Sequence, residues 1–206
     1  MESREKPHRV RMTSGALRVL EAAERLFYER GIHAVGVDLI AAEAGVTKKT
    51  LYDRFGSKEQ IVVEYLAGRD DRWRDLLAGR LDAVAGREPA VRILAVFEAS
   101  RAWAAEHGSR GCSMINAHAE IGDAAHPAYA VIAGQKRWML DLFTRLAGEI
   151  DEAGADRLAR ALMLLHEGAL VAHGMGVFPD PFGEAQDRVR ELLPEEAATG
   201  PDAPAR

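Results

Sequence analysis

A single cysteine, Cys112, stands in 206 residues. No intrachain disulfide is available, and a reducing compartment is expected. Lysine is also scarce: five of the 27 basic residues are lysine and the rest arginine. No stretch of 18 or so apolar residues is free of charge, which argues against a membrane-spanning helix. Period-two alternation is hard to find, which argues against sheet. The opening residues MESREKPHRVRM are charged and hold no apolar run, so no secretory leader is expected and the expected location is the cytoplasm. An excess of positive charge is missing too, since the net charge is −5.

The chain has 48% hydrophobic and 29% charged residues, the profile of a globular protein able to bury a core. Its charge is unevenly placed. Residues 1–60 carry 11 Lys/Arg against 9 Asp/Glu, whereas the remainder carries 16 against 23. A weakly basic head on an acidic body suits a local polyanion site better than a uniformly basic coat.

Helical spacing dominates. Thr13 or Ser14 is placed to cap a helix reaching Arg30, with a stripe of Ala16, Val19, Leu20, Ala23, Leu26 and Phe27, and Gly31 ends it. Short helices follow over residues 37–44 and from Thr47 to about Phe55, divided by Gly45. A fourth helix starts after Ser57 and extends to about Ala85. Further helices are expected over residues 89–106, 112–121, 128–152, 156–175 and 181–193. The expectation is an all-α chain of about nine helices with no sheet. Its domains are a head over residues 1–57, a larger body over 58–193 and a flexible Pro/Ala/Gly-rich tail over 194–206.

Three of the five lysines fall in one stretch, GVTKKTLYDRFGSKEQI, residues 45–61. Two short helices joined by a tight glycine turn form a helix-turn-helix. Ala41 and Ala44 are small enough for the helices to approach closely. Leu51 and Phe55, four apart, should point inward, leaving Lys48, Lys49 and Tyr52 outward. Such cations and hydroxyls meet phosphate oxygens and base edges in a major groove. Ser57 opens the fourth helix, whose unpaired N–H groups favour a phosphate, with Lys58 beside them. The plainer alternative is that Lys48 and Lys49 only solvate a helix.

The region resembles the DNA-binding part of the TetR family of bacterial transcriptional regulators. The resemblance rests on Ala22, Ala23, Leu26, Phe27 and Gly31, then Ile40-Ala41, Ala44-Gly45-Val46, Thr50-Leu51-Tyr52, Phe55 and Ser57-Lys58-Glu59. It implies an all-α homodimer whose first three helices bind double-stranded DNA and whose body receives a small-molecule effector and dimerises. Thr47, Lys48, Lys49 and Thr50 then occupy recognition-helix positions, and Tyr52 and Lys58 phosphate-contact positions. Two positions depart from the family. Gly36 stands where a Ser or Thr is common, so only backbone N–H remains to touch a phosphate there. Arg54 stands where a His or Tyr is common and offers a charged contact in its place. Arg9 and Arg11 are candidates for an arm onto DNA, or are simply solvated.

Residues 158–178 are small and apolar on nearly every face. A helix of this kind is buried on most sides, within a monomer core or against a second subunit. The resemblance favours the second case, with residues 156–175 and 181–193 pairing with their copies. The interface candidates are Leu164, Gly168, Val171, Ala172, Met175, Val189 and Leu192. Gly168 and Ala172, four apart, permit close approach.

Cys112, Asn116 and Glu120 are spaced to share one helical face amid apolar neighbours. Buried polar groups need partners, whether a ligand, each other or nearby backbone. Phe97, Trp103, Met114, Trp138, Phe143 and His166 are further candidates for lining an effector pocket, or are core. His118, Glu120, His126, His166 and His173 invite a metal, but their spacings match no ligand motif, so neither metal nor other cofactor is expected. Cys112 is a small filler or a redox sensor. No nucleophile elbow, phosphate loop or dinucleotide fingerprint is found. The expected function is a ligand-responsive transcriptional regulator, a repressor released from a palindromic operator by a small molecule. A small helical enzyme is the rival reading.

Overall fold

The computed structural model describes residues 9–108 and 110–193. The expected tail, residues 194–206, lies outside them. Among the described residues there are nine α-helices and no strand: α1 Ser14–Arg30, α2 Val37–Glu43, α3 Lys48–Phe55, α4 Lys58–Asp82, α5 Pro89–His107, α6 Ser113–Glu120, α7 Pro127–Gly148, α8 Ala155–Met175 and α9 Pro181–Leu192. The all-α expectation holds. No helix among the described residues is long and apolar enough to cross a membrane.

The helix ends follow side-chain chemistry. Thr13 caps α1 by accepting a hydrogen bond from Ala16 N–H at 3.3 Å, and Thr47 caps α3 by accepting from Thr50 N–H at 3.1 Å. The Ser57 hydroxyl accepts from Gln60 N–H at 3.2 Å in the first turn of α4. Gly36 precedes α2 without a side-chain cap, as its lack of a hydroxyl requires. α7 stops at Gly148 rather than near residue 152, because the Ala147 carbonyl takes the N–H groups of both Ile150 and Asp151 in a turn.

The chain divides into two compact units. The first holds residues up to Arg72 together with Ser113–Gln135, and the second holds Trp73–Cys112 and the residues from Lys136 onward. This division differs from a head ending at residue 57. The first turns of α4 are core: Ile61, Val62, Val63 and Leu66 are buried, and the Tyr65 ring lies 5.7 Å from that of Phe27 in α1. α6 and the start of α7 also belong to the first unit.

In the first unit, α1 buries Ala16, Val19, Ala22, Ala23, Leu26 and Phe27. These recur at the three- and four-residue spacing of one helical face. α2 contributes Ile40 and Ala41, and α3 contributes Leu51 and Phe55. In the second unit a continuous core joins Leu77, Ile93, Phe97, Phe143, Leu162 and Phe182, drawn from α4, α5, α7, α8 and α9. The loop before α6 crosses α8 at backbone distance. A Cβ added to Gly174 would lie 2.8 Å from Gly111 N, so both positions require glycine, and Gly111 also has φ of +73°.

Candidate nucleic-acid interface

The turn between α2 and α3 is closed by two backbone bonds, Gly45 N–H to Ala42 O at 3.2 Å and Val46 N–H to Ala41 O at 3.0 Å. With Gly45 at φ +62° this is a Schellman motif, which ends α2 and re-aims the chain within two residues. α3 then starts at Lys48. Leu51 is 0% and Phe55 4% exposed, so two apolar anchors fix the roll of α3. Thr47, Lys48, Lys49, Thr50, Tyr52 and Arg54 are all exposed around them, as the spacing requires. Gly36 is exposed as well.

The two lysines and two threonines of this surface already have partners. Lys48 Nζ lies 2.9 Å from Asp38 Oδ1, and Lys49 Nζ lies 2.6 Å from Asp53 Oδ2, one turn further along α3. The hydrogen bond to Asp38 holds the Lys48 ammonium above the ordinary lysine range. The Thr47 and Thr50 hydroxyls are 2.8 Å apart. Sequence reasoning missed both carboxylates as part of this surface. The Lys49–Asp53 pair was readable from its i,i+4 spacing, whereas Asp38 reaches Lys48 only through the turn.

Lys58 sits differently. It is partly buried, 6.0 Å from the Phe27 ring centroid, and burial lowers its ammonium below the usual range against the pull of Glu120 and Glu59. It lines a cavity of about 250 Å³ with Ile32, His33, Glu120 and His126. Arg9 is no free arm. Its guanidinium pairs with the fully buried Glu64 at 2.8 Å and with Asp71 at 3.0 Å, while Glu64 also takes Val10 N–H.

The candidate effector residues separate into two groups. In the first unit, Glu120 lines that cavity, and its carboxylate accepts Ile32 N–H at 2.8 Å and His33 N–H at 2.7 Å. Met114 is buried and Asn116 is exposed, so Asn116 is not one of the buried polar groups that the sequence suggested. Cys112 precedes α6 instead of standing on its face. In the second unit, Phe97, Phe143 and His166 come together, with ring centroids 5.7–6.0 Å apart. Trp103 stacks on His107 at 3.6 Å, and Trp138 lies under the Arg74 guanidinium at 4.2 Å.

A polar chain runs past His166. Ser100 Oγ is 2.8 Å from its Nε2, and Glu167 Oε1 is 3.3 Å from its Nδ1. Glu167 Oε2 meets Lys136 Nζ at 2.6 Å, and Lys136 Nζ donates to Cys112 Sγ at 3.4 Å. Burial lowers His166 despite Glu167 beside it. Burial opposes the charges of Lys136 and Glu167 as well. Their mutual attraction, with Cys112 acting on Lys136 and His166 on Glu167, outweighs it and holds lysine high and carboxylate low. No group of three or more His, Cys, Asp or Glu able to hold a metal occurs among the described residues.

Of the interface candidates, Leu164 at 75%, Val171 at 41%, Met175 at 73% and Leu192 at 48% are exposed large apolar side chains. Gly168 is exposed on α8 and Ala172 half-buried. Val189 is a correction: it is 0% exposed and packs in the core of its own unit, because α9 turns that face toward α5 and α8.

A glycine turn between two short helices, the second anchored by two apolar side chains and exposing lysines and hydroxyls, defines a helix-turn-helix DNA-binding protein. Residues 19–65 match the profile of bacterial regulatory proteins of the tetR family. The fold resembles a TetR-family transcriptional regulator from Streptomyces coelicolor, with 29% identity, a TM-score of 0.82 and 91% of each chain covered. It also resembles a TetR-type transcriptional regulator from Streptomyces avermitilis, with 30% identity, a TM-score of 0.70, and 86% of this chain and 98% of that one covered. A curated relative, the transcriptional repressor KstR2 of Rhodococcus jostii, is 42% identical over 77 residues, 35% of this chain and 38% of its own length. The match to this and other curated relatives thus spans little more than a third of their length. This chain belongs to the TetR family of transcriptional regulators.

Proposed function

We propose that the protein is a ligand-responsive repressor that binds a palindromic operator as a homodimer and leaves it when a small molecule binds. The observation carrying this reading is the exposed first turn of α3, Thr47–Thr50, held outward by buried Leu51 and Phe55. In the proposed complex, Thr47, Lys48, Lys49 and Thr50 enter the major groove, while Tyr52, Arg54 and the Gly36 backbone meet phosphate. Lys58 joins them only after leaving its cavity. Two heads reading successive grooves need centres about 34–36 Å apart.

The exposed apolar face of α8 supports the dimer. Leu164, Gly168, Val171 and Met175 recur at spacings of four, three and four, which places them on one side of the helix. Leu192 and the half-buried Ala172 extend this proposed interface. The effector site is proposed around Phe97, Phe143 and His166, with Trp103, Cys112 and Trp138 from the same unit. The ligand acts by binding one head arrangement more tightly than the other. α4, which has residues in both units, is the proposed connection.

Selection of bound duplexes from a random pool tests the reading. A palindromic consensus is expected, with binding weakened about tenfold or more by Lys48→Ala combined with Lys49→Ala. Enrichment of no sequence, or unchanged affinity in the double variant at moderate salt, sinks it.

A further inference from the structure

The two lysines most exposed to DNA in the proposed complex are both neutralised by the protein's own carboxylates. Lys48 meets Asp38 through both carboxylate oxygens, Oδ1 at 2.9 Å and Oδ2 at 3.0 Å, and Lys49 meets Asp53 at 2.6 Å. Packing does not require these acids, since the Asp38 and Asp53 side chains are 76% and 62% exposed. Exposed ion pairs add little stability. Their geometry is that of a phosphate contact, an ammonium against anionic oxygens.

We propose that Asp38 and Asp53 are specificity determinants, intramolecular stand-ins for phosphate that occupy Lys48 and Lys49 until an operator replaces them. The proposal rests on the DNA-binding reading above. On arbitrary duplex, each lysine must exchange one anion for another and leave an aspartate facing the phosphate backbone, so little is gained. On the operator, guanine O6 and N7 supply acceptors to lysine, and a cytosine N4 amine supplies a donor to aspartate, so both members of a pair are satisfied. Attraction to the backbone is thereby blunted while attraction to the right base edges is kept. The same pairing accounts for a DNA-binding head carrying little net positive charge.

The test compares Asp38→Asn, Asp53→Asn and the double variant with the unmodified protein, on a selected operator and on a scrambled duplex of equal length. Binding is read by fluorescence anisotropy between about 50 and 200 mM salt. Glu43→Gln is the charge-matched control, because Glu43 pairs with Arg25 and with neither lysine. The double variant should bind scrambled duplex several-fold more tightly, with the logarithmic salt slope steeper by roughly 0.9 for each freed lysine. The operator-to-scrambled ratio should fall, and Glu43→Gln should leave it near the unmodified value. Adding Lys48→Ala and Lys49→Ala to the double variant should return the slope. Unchanged scrambled binding, or an equal gain from Glu43→Gln, overturns the proposal while operator binding by the unmodified protein still stands. Failure of the unmodified protein to bind any selected duplex overturns both.

Discussion

Glu120 at the end of α6 clasps the turn after α1, and its removal should loosen the first unit measurably. Its carboxylate takes Ile32 N–H at 2.8 Å and His33 N–H at 2.7 Å. Ile32 is 6% exposed, so its amide recovers little from water when the carboxylate goes. A buried donor left without its charged acceptor costs about 1.5–3 kcal/mol. His33 is exposed, and its amide recovers most of its loss from water, leaving roughly 0.5–1 kcal/mol. Glu120→Ala should therefore cost about 2–4 kcal/mol. In a chain of this size each kcal/mol lowers Tm by roughly 2–4 °C. Glu120→Gln should fall in between, since its amide oxygen still accepts one N–H while its NH2 group opposes the other. Urea unfolding followed by circular dichroism gives the free energy, and hydrogen exchange over residues 30–35 localises it. A change below about 0.5 kcal/mol in Glu120→Ala, with unaltered exchange at Ile32, would refute the clasp.

Gly174→Ala should destabilise the second unit by about 1–3 kcal/mol, because its Cβ meets Gly111 backbone at 2.8 Å. Gly134→Ala, where a Cβ meets nothing within 4 Å, should be neutral or stabilising in the same thermal melts, and equal losses at both positions would discredit the close crossing. His166 has its folded pKa depressed by burial, so the unfolded chain takes up its proton first and stability should fall as pH drops through about 6.5. Glu167, also depressed, adds its loss only further into the acid range. His166→Gln should flatten the stability profile between about pH 7 and 5.5, and an unaltered profile would deny that His166 is buried neutral. Leu164→Arg together with Met175→Glu should shift the proposed dimer toward monomer in sedimentation runs at micromolar concentration. A dimer of undiminished stability would move the interface elsewhere.

Much of the fold was legible because local chemistry dictates it. Thr13, Thr47 and Ser57 mark helix starts, Gly31 and Gly45 mark ends, and the spacing of Leu26, Phe27, Leu51 and Phe55 sets which faces go inward. Each of these signals acts within a few residues, so the order along the chain contains it. The outward set Lys48, Lys49 and Tyr52 followed from the same spacing. What the spacing did not contain was the partner of each exposed charge. Lys48 finds Asp38 only once the turn at Gly45 has folded α2 back beside α3.

Contacts between distant segments were decided by tertiary structure. Glu120 stood out in sequence only for its apolar helical neighbours, and folding brings it both to a cavity and to amides 87 and 88 residues away. Val189 looked like an interface residue, but α9 packs that face into its own core. The boundary at residue 57 followed the motif, whereas burial of Ile61, Val62 and Leu66 carries the first unit into α4. Helix propensity and capping are properties of neighbours in sequence. Whether a charge is paired or an apolar face is covered depends on which distant surface arrives, and only the folded chain brings it there.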